Sequence, residues 1–380
     1  MLIFDYLIKI SCKIIYFFMK FKKTKNNKVI FISRLDSKKS LDFKLLEEKL
    51  KDNNPNIECV FLCKRITSFT SDFLGNVKYT LECLSNLADS KVCITDSFVL
   101  AISVVKHKKS LKIIQIWHSM GAIKKFAYQT LGNTSGRDTK TAKILNMHKG
   151  YDYIISGSKE MTKYFSKAFN YDKKYFLNYG LPRMDYLLEN EEKLKKKITK
   201  EYGILKKTQN ILYAPTFRTT YDDKTLELIK NINFDKYNLI VKAHARQSDL
   251  ELNDQVLTCD KFSALDLIAI SDYIITDYSG IAIEAAILNK KTYYYVFDYE
   301  DYQKNNGINI DLYKEMPGCV FKNAKDLCKE LNKDKYNMDV LYKYKNKYID
   351  VQDGTSTKKI MDLVFSCMED KKWKKQLKKQ

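Results

Sequence analysis

A short apolar run that stops at a polar turn and hands over to a helix recurs along this chain. It is clearest at residues 268–298. Tyr273-Ile274-Ile275-Thr276 is β-branched and aromatic, the composition of a buried strand. Asp277-Tyr278-Ser279-Gly280 ends it. Gly280 permits backbone geometry that other residues resist, and Ser279 can cap the next helix. Ile281 to Asn289 carries Ile, Ala and Leu at helical spacing, and Thr292 to Phe297 reads as a second strand. A strand–turn–helix–strand unit implies a parallel sheet. Its Ser-Gly turn then lies at one edge, where phosphate oxygens are readily held. Glu284, one turn into the helix, is placed to accept hydrogen bonds from ribose hydroxyls.

The same design appears at residues 28–33, 57–62, 92–95, 111–117 and 151–156, with helices expected at 43–51 and 159–169. Residues 189–202 are almost wholly charged and helical, and then the pattern restarts at 210–214 and 237–242. Strands alternating with helices give an α/β fold with doubly wound parallel sheets. Two such sheets, each sending polar residues from its strand ends, imply a cleft between them. The expected division is a helix over 1–25, domains at 26–185 and 186–350, and a C-terminal helix with a basic tail at 351–380. Each half places one histidine directly after a strand, His118 and His244. A single histidine in such a place is structural by default, but two in equivalent positions suit acid–base chemistry. His107 and His148 lie among lysine-rich neighbours and read as exposed.

Residues 1–25 are rich in Ile, Leu, Phe and Tyr, with Asp5, Lys9 and Lys13 every four residues. On a helix these three form a polar stripe beside a broad apolar face. The longest apolar run, Ile14 to Met19, is shorter than the roughly 20 residues that span a bilayer. No small-residue cleavage site comes after it, so a secretory signal is not expected. Lys20, Lys22, Lys23 and Lys25 come next. This is the pattern of a helix lying in a membrane interface beside anionic headgroups. Packing on its own domain or on a second copy of the chain is the alternative. The net charge of +21 invites an anionic partner, but no zinc finger, RRM or basic–aromatic stretch points to nucleic acid. Nine dispersed cysteines without a CxxC pair fit reduced thiols in a cytoplasm. With no carboxylate cluster, neither a metal nor a cofactor is expected.

Four stretches carry a family resemblance: Gln115-Ile116-Trp117-His118-Ser119, Tyr213-Ala214-Pro215-Thr216-Phe217-Arg218, Val241-Lys242-Ala243-His244 and Ile275-Thr276-Asp277-Tyr278-Ser279-Gly280. In this order and spacing, over roughly residues 110–300, the chain resembles the CDP-glycerol glycerophosphotransferases of teichoic-acid and capsule synthesis. The resemblance implies a GT-B-like fold, two Rossmann-like domains facing each other across a cleft, and transfer of glycerol phosphate from CDP-glycerol to a lipid-linked glycan acceptor, releasing CMP. It implies a peripheral protein on the cytoplasmic face of the membrane. It also implies roles: His118 as general base, and His244 with Arg218 on the charge of the departing CMP. Ser279 and Gly280 would hold the CMP phosphate, with Asp277 in the same motif. Thr216 would donate to a phosphate oxygen, and Glu284 would bind the ribose. The family commonly has WHG, HP and DYSS where Trp117-His118-Ser119, His244-Ala245 and Asp277-Tyr278-Ser279-Gly280 stand here. These departures leave CDP-ribitol open as the donor, and a GT-B sugar transferase using a nucleotide sugar is the runner-up.

Overall fold

The computed structural model describes residues 2–68, 70–134, 136–203, 209–216, 224–242 and 254–369. Arg218, His244 and the basic tail at 371–380 lie outside the described residues. The chain divides into two compact units. One holds Met1–His118, Ala127–Arg183 and Thr355–Gln380; the other holds Ser119–Phe126 and Met184–Gly354.

The first unit is built on six strands: β1 (Lys28–Ser33), β2 (Glu58–Cys63), β3 (Val92–Thr95), β4 (Lys112–Gln115), β5 (Tyr153–Ile155) and β6 (Phe176–Leu177). They pair in parallel in the order β2-β1-β3-β4-β5-β6. Every residue of β1 and β3 is buried, as a sheet covered on both faces requires. Strand order reverses between β1 and β3, so the connections leaving their carboxyl ends diverge there.

Helix Phe73–Asp89 covers part of this sheet and has no counterpart in the strand-based reading. Its Asp72 cap accepts from Gly75 N at 3.1 Å. It buries Asn76, Tyr79, Thr80, Cys83, Leu84, Leu87 and Ala88, a stripe at spacings of three and four.

The N-terminal helix spans Leu2–Met19; Asp5 and Lys9 of its polar stripe face its own unit, while Lys13 is exposed. Asp5 accepts from Thr141 Oγ1 at 2.9 Å, and Lys9 Nζ donates to Ile144 O at 2.5 Å and Asn146 Oδ1 at 3.1 Å. Buried Tyr16 meets His107 Nδ1 at 2.9 Å, while His107 Nε2 lies 2.8 Å from Ile102 O. A carbonyl only accepts, so Nε2 carries the proton and the Tyr16 hydroxyl donates to Nδ1. His107 is therefore a half-buried tie and not the exposed residue expected; burial pushes its pKa down to about 4. Ile3, Leu7, Ile10, Ile14, Phe17 and Phe18 point outward, each more than half exposed. Among the described residues no helix is long and apolar enough to cross a membrane.

The second unit carries β7 (Gln209–Tyr213), β8 (Tyr237–Val241), β9 (Val256–Leu257), β10 (Tyr273–Thr276), β11 (Lys291–Tyr295) and β12 (Val320–Phe321). Their order is β12-β11-β10-β7-β8-β9, again with parallel pairing. Here the reversal falls between β7 and β10. Ser119–Phe126 joins this unit through the antiparallel pair Lys124–Ile308 and a 3.0 Å bond from Asn309 Nδ2 to Ala122 O. The helix after the Ser-Gly turn is Ile281–Ala286, shorter than the pattern to Asn289 predicts. Asn289 adopts φ 53°, the left-handed geometry that ends helices. Conversely, the charged helix begins at Pro182, seven residues before the expected start at 189, because proline suits a first helical position.

Candidate active site

In the first unit, the carboxyl ends of β3 and β4 present Asp96-Ser97 and Trp117-His118. The buried Gln115 side chain joins them: its amide donates to Ser97 O at 3.1 Å and accepts from Trp117 N at 2.9 Å. Trp117 has φ 59°, a strained conformation for a bulky residue, costing on the order of 1–2 kcal/mol. Surrounding rings hold it there. Phe169 lies 5.2 Å away, His148 5.7 Å and His118 4.1 Å, measured between centroids.

His148 is buried, against the expectation of an exposed residue. Its Nδ1 pairs with Tyr151 OH at 3.0 Å, and its ring packs on Phe98 and Phe169. Burial, then the Arg137 and Arg34 charges, push its pKa down to about 3, so it is a neutral wall for Trp117. The adjacent lysine and glycine mislead because its aromatic partners are mostly distant in sequence.

His118 is exposed, with Nδ1 3.1 Å from Asp96 O. That carbonyl can only accept, so Nδ1 carries the hydrogen and the neutral ring has its lone pair on Nε2. The Asp96 carboxyl itself is buried. Burial raises its pKa to about 6, opposed by hydrogen bonds from Ser33 and Ser97.

In the second unit, Thr216 follows β7 and Asp277 follows β10, on either side of the reversal. Thr216 N donates to both Asp277 oxygens, at 2.9 and 3.0 Å, and Thr216 Oγ1 donates to Oδ1 at 2.6 Å. Tyr278 N adds a further bond to Oδ1 at 2.6 Å. The pair braces the turn. Thr216 directs its hydroxyl proton to Asp277, so the expected donation to a phosphate oxygen is not its role in this conformation.

Tyr278 OH donates to Asp298 Oδ1 at 3.0 Å, and its ring stacks on Tyr302 at 3.9 Å. Ser279 Oγ accepts from Ile281 N at 3.4 Å, a long capping bond. Gly280 has φ −62° and ψ −16°, open to any residue, so the expected need for unusual backbone geometry is not met. Glycine is needed there for space: a Cβ would lie 2.3 Å from Ser119 Oγ. Ser119 Oγ is itself fixed, donating to Gly121 O at 2.9 Å and accepting from Gly121 N at 3.3 Å. Glu284 is buried in the first turn of the helix.

Asp277, Ser279, Gly280 and Glu284 thus share one turn and helix start, with Thr216 from the end of β7 bonded to Asp277, while His118 belongs to the first unit. Among the described residues no group of three or more His, Cys, Asp or Glu side chains is arranged to hold a metal ion. Arg34 and Arg137 escaped the sequence reading. Arg34 directly follows β1 as His118 nearly follows β4, and that position was the available signal.

The sequence profile of the CDP-glycerol:poly(glycerophosphate) glycerophosphotransferase family matches residues 14–366. The chain belongs to this family. It is similar to the teichoic acid ribitol-phosphate primase of Bacillus spizizenii, 30% identical over 90% of this chain and 92% of the relative. The teichoic acid glycerol-phosphate primase of Bacillus subtilis is 28% identical over 83% of this chain and 81% of that protein. A solved structure of the wall teichoic acid polymerase TagF matches with a TM-score of 0.76 at 19% identity. The match covers 97% of this chain and 98% of that one, and the shared fold is the GT-B-like pair of Rossmann-like units that the resemblance implied. As a glycerophosphotransferase family member the chain is a transferase.

Proposed function

We propose that the chain transfers a polyol phosphate, glycerol phosphate or ribitol phosphate, from its CDP conjugate to a hydroxyl of a lipid-linked acceptor in teichoic acid or capsule synthesis. Family membership supports the reaction class. The observation that carries the mechanism is the orientation of His118 by Asp96 O. The acceptor oxygen attacks the phosphorus that bears the polyol, and the bridging bond to CMP breaks. The acceptor proton passes to His118 Nε2. The turn at Ser279-Gly280 takes the donor phosphates, at the strand-order reversal where open α/β sheets bind ligands, and Glu284 takes the ribose. His244 and Arg218, carried over from the family motifs, stabilise the charge on departing CMP. Thermal titration tests the donor class. CDP-glycerol or CDP-ribitol is expected to raise the melting point, by about 2.7 kcal/mol of stabilisation at a hundred times Kd. A UDP-sugar that stabilises more strongly would reassign the site to sugar transfer.

The chain works at the cytoplasmic face of the membrane, held by the N-terminal helix. Its outward apolar face and the exposed Lys13, Lys22 and Lys23 suit a headgroup–acyl boundary. Deleting the helix would also expose the groups that cover Tyr16, so surface substitutions are the cleaner test. Ile10→Glu with Phe17→Glu is expected to release a folded protein from anionic vesicles. Unchanged sedimentation with the vesicles would refute this anchoring. A lipid-free dimer that these substitutions dissociate would assign the face to a second copy of the chain.

A further inference from the structure

Beneath the N-terminal helix, the first unit holds a cavity of about 500 Å³. Phe4 and Ile8 from that helix, Cys83 from helix Phe73–Asp89, and Val99 and Leu100 beyond β3 give it apolar walls. Arg34 and Arg137 also line it, and their guanidinium groups lie 6.0 and 5.0 Å from the centroid of the Phe98 ring. Asp5 is in the lining too, but it already accepts from Thr141 Oγ1. Arg34 Nη2 makes a long bond, 3.4 Å, to Ile66 O. Two cations against one engaged carboxylate leave a positive recess in apolar surroundings. Burial, then repulsion from Arg137, depresses the Arg34 guanidinium to about 10, and burial shifts Arg137 in the same direction. Arg137 nonetheless stays accessible, which fits a side chain bordering a cavity. Two like charges gathered this way are costly unless an anion joins them.

The recess stands at the reversal between β1 and β3, where this sheet is shaped to take a ligand. Arg34 N donates to Ser97 Oγ at 3.1 Å across that reversal. From Phe98, ring contacts run to His148 at 5.5 Å, on to Trp117 at 5.7 Å, and to His118 at 4.1 Å. The cavity therefore shares a wall with the ring stack that holds His118, and its roof is the helix whose outer face is apolar.

We propose that this cavity is the acceptor's lipid-diphosphate subsite, with the diphosphate on Arg34 and Arg137 and the adjoining isoprenoid-like hydrocarbon along Phe4, Ile8 and Leu100. The volume lies in the range of small-molecule sites. The acceptor role rests on the proposed polyol-phosphate transfer, but binding is measurable without turnover.

Calorimetric titration of the full chain with farnesyl diphosphate, farnesol and inorganic pyrophosphate tests the assignment. Farnesyl diphosphate is expected to bind at least about tenfold more tightly than either fragment. Arg34→Gln and Arg137→Gln should each weaken it by about tenfold or more, through loss of a charge-assisted contact. Leu100→Trp, which fills the cavity, should weaken farnesyl diphosphate and leave CDP-polyol binding intact. Retained CDP-polyol binding certifies each fold, and Arg34→Lys, which keeps the charge, stands in for a glutamine variant that fails that check. In turnover, the arginine variants should raise acceptor KM and leave donor KM unchanged. Farnesyl diphosphate binding no tighter than pyrophosphate, or unaffected by the variants, overturns the subsite. Arginine-dependent prenyl diphosphate binding without CMP release would instead refute the transfer reaction and leave the subsite standing.

Discussion

His118→Ala is expected to lower kcat for CMP release by about 10²–10⁴-fold, the contribution of a positioned general base. The side chain is exposed, so its removal opens no cavity. Trp117 loses the His118 ring 4.1 Å away but keeps its bond to Gln115 and the rings of Phe169 and His148. The melting point should therefore stay near wild type, and donor KM should change little. A folded variant with near-wild-type kcat would remove His118 from the mechanism. The neutral His148 cannot take over, because burial and Tyr151 confine its ring to the core.

The second large effect is structural. Asp277→Ala removes the acceptor for Thr216 N, Thr216 Oγ1 and Tyr278 N, all within 3.0 Å. Leaving several donors unsatisfied at a buried position is expected to destabilise the protein by about 3–5 kcal/mol. Asp277→Asn keeps one oxygen and should lose less. Urea unfolding measures both, and a loss below about 1 kcal/mol for the alanine variant would show that the brace is unimportant. The substitution should also weaken CDP-polyol binding, since this pair sets the turn carrying Ser279 and Gly280.

The strands were legible because central parallel strands are apolar on both faces. β1, β3 and β10 fall at the residues their composition predicts. Helix Phe73–Asp89 was equally readable, since Asp72 caps a stripe at Asn76, Tyr79, Thr80, Cys83 and Leu84. Its residues lack the β-branched runs that mark the strands on either side. Sequence order identified His118 in the first unit, and Asp277, Ser279 and Gly280 in the second, as strand-end residues. It could not identify partners contributed from elsewhere in the chain. Asp96 O orients His118, Asp277 engages Thr216, and Ser119 restricts Gly280 to a glycine, and each relation depends on which strand ends become neighbours. The N-terminal helix behaves in the same way. Its polar stripe was visible in the sequence, but only Thr141, Ile144 and Asn146 show that Asp5 and Lys9 of that stripe face inward, while Lys13 is exposed.

The most direct measurement is CMP formation from CDP-glycerol and from CDP-ribitol, with and without a lipid-linked acceptor, by the wild type and by His118→Ala. Expected is CMP that appears only with acceptor, one for each new phosphodiester, and nearly vanishes in the variant. CMP released at the same rate without acceptor, or a UDP-sugar as the sole donor consumed, would contradict polyol-phosphate transfer through His118.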